Sequence, residues 1–167
     1  MKRVLITGMS GTGKSSVIRE LAVRGYTAID TDYGGWCVPP DGSEPTDHLA
    51  RPGWLWDTDR MRELLASDHR SVLFVAGCVE NQGDFHEYFD EVVLLTAEPV
   101  LIEERLMTRS TNPYGKDPRE LAQALEDQRM FEPELKRGAT MVIDTSVPIQ
   151  QVVSVILERV GIQRLAP

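Results

Sequence analysis

The residues whose types and spacing can do chemistry begin at Gly8. The stretch Gly8-Met9-Ser10-Gly11-Thr12-Gly13-Lys14-Ser15-Ser16 has the spacing G-x-x-x-x-G-K-S, the P-loop pattern for binding phosphate. Glycines let the backbone turn tightly and approach a polyphosphate without a Cβ in the way. Successive N–H groups then point inward as an anion-binding nest. A helix starting at the end of the loop adds its unpaired amides and its positive dipole end. In this pattern Lys14 reaches the β- and γ-phosphates and the Ser15 hydroxyl ligates Mg²⁺. Gly8, Ser10, Gly11, Thr12, Gly13 and Ser16 supply the cradle.

Other residues carry chemistry at looser spacing. Asp30 and Asp32 stand two apart after a short apolar run, so on a strand end they share a face. One carboxylate there can hold a metal-bound water while the other accepts a hydroxyl proton. A plain turn is the alternative, because Asp favours turns. Arg105 and Arg109, four apart, share one face of a helix end. Guanidinium forks suit phosphate oxygens; the alternative is a surface ion-pair face with Glu103 and Glu104. Gly77-Cys78-Val79-Glu80-Asn81 follows an apolar run. The amides of Gly77 and Cys78 and the side chains of Glu80 and Asn81 can meet an acceptor there, or the segment is only a strand-exit turn. Trp36, Trp54 and Trp56 make either an aromatic wall for an acceptor or the small core of a flap. Cys37 and Cys78 form no ligand-spaced cluster, and His48, His69 and His86 show no metal spacing.

The elements that must position these residues alternate. Strands are expected over 3–7, 26–29, 71–76, 91–95 and 139–143. Helices are expected from the P-loop to Gly25, from Asp57 or Thr58 to about Ser67, over Pro99 to about Met107, Pro118 to about Lys136 and Pro148 to Val160, with a short one over 82–88. Near-continuous apolar strands such as 71–76 are buried on both faces. The result is an α/β protein, a parallel sheet with helices on both faces. Such sheets bind ligands at the carboxyl ends of their strands, which singles out 8–16, Asp30 and Asp32, 77–81, Thr96, and Thr145 to Pro148. The Gly- and Pro-rich stretch 33–53 opens a substrate-side insert of about 33–70, and the polar loop 108–118 is expected to be a lid. The expectation is one domain over 1–167.

Acidic residues outnumber basic ones 26 to 18, for a net charge of −8. That balance argues against nucleic acid or an anionic membrane surface as a partner. No apolar run approaches the ~18 residues of a spanning helix. No secretory signal is visible, and a reduced cytoplasmic setting is expected.

With these residues in hand, the chain resembles the small P-loop kinases of the nucleoside-monophosphate-kinase and shikimate-kinase group, within the AAA-type P-loop NTPases. Besides the P-loop, the likeness rests on Asp30-Thr31-Asp32, on Glu104-Arg105-Leu106-Met107-Thr108-Arg109 before the lid, and on Ala139-Thr140-Met141-Val142-Ile143-Asp144-Thr145. The last is similar to the final strand and adenine loop of shikimate kinases, which brings Thr145 and Pro148 to the nucleotide. The resemblance implies a five-stranded sheet in the order 2-3-1-4-5, ATP and Mg²⁺, and phosphoryl transfer to a small-molecule or nucleotide acceptor. It further implies Arg105 on adenine, Arg109 toward the γ-phosphate, Ser15 and Asp30 at the metal, and Asp32 as base or anchor. Trp36, Gly77, Cys78 and Asn81 fall on the acceptor side. The overall order also resembles adenylate-kinase-like ribosome assembly factors, which act as nucleotide-driven switches. Two departures stand out. The glycine triplet of shikimate kinases is Ala76-Gly77-Cys78 here, and the arginine they carry two residues before the proline that matches Pro133 is Phe131. A shikimate acceptor is therefore not expected.

Overall fold

The computed structural model describes residues 2–45, 49–67 and 72–162; His48, His69 and Ser71 lie outside the described residues. The elements run β1 (Lys2–Thr7), α1 (Lys14–Val23), β2 (Thr27–Asp30), β3 (Cys37–Val38), β4 (Leu55–Trp56), α2 (Thr58–Ala66), β5 (Val72–Ala76), a 3-10 helix (Glu80–Tyr88), β6 (Glu91–Thr96), α3 (Pro99–Thr108), α4 (Pro118–Gly138), β7 (Met141–Asp144) and α5 (Ile149–Arg159).

Five strands form one parallel sheet in the order β2-β5-β1-β6-β7. This is the expected 2-3-1-4-5 once β3 and β4 are left out of the count. Those two pair with each other as an antiparallel ribbon inside the insert. The expected loop of 33–53 hid β3, and β4 lies just beyond it; two-residue strands carry no periodicity to read.

Strand alternation divides the core. Val4, Ile6, Phe74 and Val93 face α1 and α5 and pack on Val17, Leu21, Val153 and Ile156. Leu5, Leu73, Val75 and Val92 face the other way, against Trp56, Met61, Leu65 and Phe85. Burial on both faces explains why all five residues of β5 are apolar and buried. A third cluster, Ile102 and Leu106 of α3 with Ala124 of α4, ties the helices on either side of the lid loop together.

The register decides where the site falls. Ile6 and Asp30 both pair with Ala76, Thr7 pairs with Leu94, and Thr96 pairs with Asp144. Five loops therefore leave the sheet side by side at its carboxyl edge.

Candidate active site at the carboxyl edge of the sheet

The P-loop has the strand and helix it requires. Gly13 sits at the N-cap of α1 with φ 105°, and no side chain caps the helix. Among the described residues the amides of Gly13, Lys14 and Ser15 have no backbone acceptor. They form a ready anion site at a helix N-terminus. Gly8, with φ 148°, must be glycine, since a Cβ would stand 2.5 Å from the Leu95 carbonyl oxygen. The Lys14 ammonium, nearly buried, donates to the carbonyls of Gly8 at 2.7 Å and Met9 at 3.3 Å. This holds a positive charge over the loop's concave side. Ser16 is exposed.

Asp30 and Asp32 do not share a face as a strand end would have given. The strand stops at Asp30, and the Asp32 N–H donates to Asp30 Oδ1 at 3.1 Å. The turn sends the two carboxylates into different hollows. Asp30 lines one with Ser15, Arg19 and Tyr33, whereas Asp32 lines a second with Lys14. Burial, and secondarily the charge of Asp32, pushes the Asp30 carboxyl above its usual range; a hydrogen bond with Ser15 partly offsets this. A half-buried, destabilised carboxylate beside the P-loop serine hydroxyl is a fitting oxygen pair for a hard cation.

Arg105 is occupied along its edges. It donates to Gly11 O at 3.2 Å, Thr145 Oγ1 at 2.8 Å and Thr145 O at 2.6 Å. Thr145 Oγ1 in turn donates to Thr12 O at 2.7 Å. These in-plane bonds lock the P-loop to the loop after β7 and leave the guanidinium faces for stacking. Pro148 is the N-cap of α5 on the same loop. Arg109 turns the other way. It caps the end of α3 and donates to Tyr114 O at 2.7 Å; burial pulls its guanidinium below the usual arginine range, and the nearby Asp32 carboxylate works against this. Its buried Nε has no partner among the described residues. Arg105 and Arg109 thus separate, one toward the loop after β7 and one toward Asp32, because α3 ends between them.

A cleft of about 490 Å³ runs from Ser10 and Lys14 to α4. Two of the expected acceptor residues have other work. The Gly77 N–H donates to Ile6 O at 3.1 Å, and a Cβ at Gly77 would overlap Thr31 Oγ1. Gly77 is there because Thr31 and Trp56 close over it. The Asn81 carboxamide receives the Trp56 N–H at 2.9 Å and donates to Trp56 O at 3.1 Å, so it pins β4. Cys78 and Glu80 do line the cleft. The tryptophans divide their roles. Trp56 is core, bonded through Nε1 to Thr31 Oγ1 at 2.8 Å. Trp36 lies under Arg60, 4.0 Å from its ring, and its carbonyl receives the Asp57 N–H. It therefore braces α2, and among the described residues the tryptophan that lines the cleft is Trp54. Gln82, buried, with Oε1 accepting from Thr7 Oγ1 at 3.0 Å, also lines the cleft and was missed from sequence. A lone glutamine carries no motif signal, so only the fold could reveal it.

A doubly covered parallel sheet with a P-loop at its carboxyl edge defines a P-loop nucleotide-binding protein. The AAA domain family matches residues 4–130, and the chain belongs to that family. It is similar to a nucleotide-binding protein of Clostridioides difficile (strain 630), 29% identical over 153 residues, covering 87% of this chain and 49% of the relative. The chain spans about half the length of the first curated relatives it matches. It is also similar to a shikimate kinase of Syntrophus aciditrophicus (strain SB), 26% identical over 160 residues, covering 92% of this chain and 80% of that one. Among solved structures it resembles shikimate kinase from Acinetobacter baumannii in complex with shikimate. That likeness has a TM-score of 0.64 and 17% identity, covering 99% and 96% of the two chains, and bears on the fold.

Proposed function

We propose that the protein is an ATP- and Mg²⁺-dependent phosphotransferase acting on a small-molecule acceptor, with the acceptor held in the cleft between the P-loop, Trp54 and α4. The observation that carries this reading is the cleft itself: it is of metabolite size, it opens onto Lys14, and Asp32 faces it. In this reading the P-loop amides, Lys14 and Ser16 hold the triphosphate. Arg105 stacks on adenine beside Thr145 and Pro148, and Ser15 and Asp30 hold the metal. Bound Mg²⁺ would supply charge neutralisation at the phosphates. An acceptor oxygen bonds to the γ-phosphorus as the bridging P–O bond to ADP breaks, and Asp32 takes the hydroxyl proton. Arg109, beside Asp32, offsets charge on the transferring group. Loop 108–118 closes over the site and excludes water.

No helix among the described residues is long and apolar enough to cross a membrane. The free thiols of Cys37 and Cys78 favour a cytoplasmic setting within this proposal. A second reading, a nucleotide-driven switch with a macromolecular partner, draws on the relatives named only as nucleotide-binding proteins.

ADP release with Mg-ATP, in the presence and absence of a metabolite panel, tests the proposal. A kinase gives acceptor-stimulated turnover at least tenfold above background ATPase, and Lys14→Ala abolishes it. Turnover that responds only to a macromolecule would favour the switch. Absence of Mg-ATP binding would refute both.

A further inference from the structure

The charges lining the cleft are unevenly placed. Its phosphate end carries Lys14, whose ammonium is held by the P-loop carbonyls. The far wall is one face of α4, where Ala124, Asp127, Phe131 and Glu134 recur at helical spacing. That face offers two carboxylates flanking an aromatic ring, and Glu80 adds a third carboxylate at the start of the 3-10 helix. Glu80 and Glu134 have no ion-pair or hydrogen-bond partner among the described residues. Among the described residues, Asp127 receives only the Gln123 amide at 2.7 Å. Arg51 also lines the cleft; like Glu80 and Glu134 it is exposed, and it lies over the Trp54 ring, 6.0 Å from its centroid.

Phe131 is a second anomaly. It is 52% exposed, a large ring left facing a cleft rather than a core. Gln82 is a third. It is only 6% exposed and lines the cleft, its Oε1 is taken by Thr7, and its Nε2 has no acceptor among the described residues. An amide donor without a protein acceptor at the wall of a cleft can serve an oxygen acceptor on a ligand. Carboxylates around an exposed ring call for a cation, through ion pairing and through the ring's π face. The same carboxylates would repel an incoming carboxylate or phosphate.

Building on the kinase reading above, we propose that the acceptor is a hydroxyl compound bearing a protonated amine, of the amino-sugar or amino-alcohol class. Its ammonium sits between Asp127 and Glu134 against Phe131. A hydroxyl oxygen accepts from Gln82 Nε2, and the carbon skeleton lies along Trp54 and Phe131. The reacting hydroxyl is thereby directed toward Asp32 and Lys14.

The test uses charge-matched sets: glucosamine, glucose and gluconate, and serinol, glycerol and glycerate. Binding of each to the full chain without nucleotide is measured by calorimetry, and ADP release is measured with Mg-ATP. The amine member of a set is expected to bind about tenfold more tightly than its neutral counterpart, with the acid weakest. Half-molar KCl should shrink the preference, because screening weakens partly exposed charge pairs. The paired substitution Asp127→Asn and Glu134→Gln should reduce it to within about twofold, and Phe131→Leu should weaken amine binding selectively. Preference for the acid, no discrimination, a preference that survives the paired substitution, or no binding of either amine would each overturn the proposal. Because binding is read without nucleotide, failure of ATP to bind would sink the kinase reading while leaving the amine preference separately measured.

Discussion

Replacing Gly77 with alanine probes the joint that supports both carboxylates of the site. The new Cβ would overlap Thr31 Oγ1 and stand 2.9 Å from Trp56 Cζ2 and 3.1 Å from Trp56 Nε1. Neither neighbour can yield cheaply. Thr31 is buried and donates to Ala76 O at 2.7 Å while accepting from Trp56 Nε1 at 2.8 Å. Trp56 is 1% exposed and fixed along its backbone by Asn81. Overfilling such a site costs about 1–3 kcal/mol, and each buried hydrogen bond broken adds about 1 kcal/mol. The expected loss is about 3 kcal/mol, or about 6–12 °C in Tm for a chain of this size. Urea unfolding followed by tryptophan fluorescence measures it directly. Activity should fall as well, since Thr31 sits between Asp30 and Asp32. A cycle with Thr31→Ala isolates the clash: with the hydroxyl gone, Gly77→Ala should cost at least about 1 kcal/mol less. A single variant within about 0.5 kcal/mol of the parent, or strict additivity in the cycle, would refute the packing argument.

Further outcomes follow from the titrating groups and the thiols. Asp30 has a folded-state pKa above its unfolded value, so the stability it contributes is present below the unfolded pKa and is lost as pH rises through the folded one. Asp30→Asn should therefore raise the urea midpoint at pH 7, change it little at pH 3, and remove any Mg²⁺-dependent stabilisation; a lower midpoint at pH 7 would contradict this. Cys37 is buried, and burial, with the charges of Asp32 and Asp30, pushes its thiol up to about 12. Iodoacetamide at pH 8 should label the half-buried Cys78 first in the native protein, with mass spectrometry of the digest as the readout and equal labelling as the contrary result.

Local signals account for much of what could be read without coordinates. The P-loop is a contiguous motif whose chemistry depends on backbone geometry that glycines permit. The strands are apolar runs, and the alternation of strand and helix admits few topologies. This is why the parallel sheet was legible, while its order came from the resemblance to small P-loop kinases, and why the loop from Gly8 lies between β1 and α1 as expected. The ends of α1 and α2 were legible as well, from Gly25 and Asp57, since caps act within one turn.

What the tertiary structure decided concerns residues whose role depends on a distant neighbour. Gly77 and Asn81 looked like acceptor contacts, but their partners, Thr31 and Trp56, lie 46 and 25 residues away in sequence. Asp30 and Asp32 part company because a turn begins between them, and Arg105 and Arg109 because α3 stops there. The division of the tryptophans and the placing of Gln82 likewise needed the fold. Spacing along a chain fixes direction only while the backbone stays regular. At loops and helix ends, where this site is built, long-range packing sets where each side chain points.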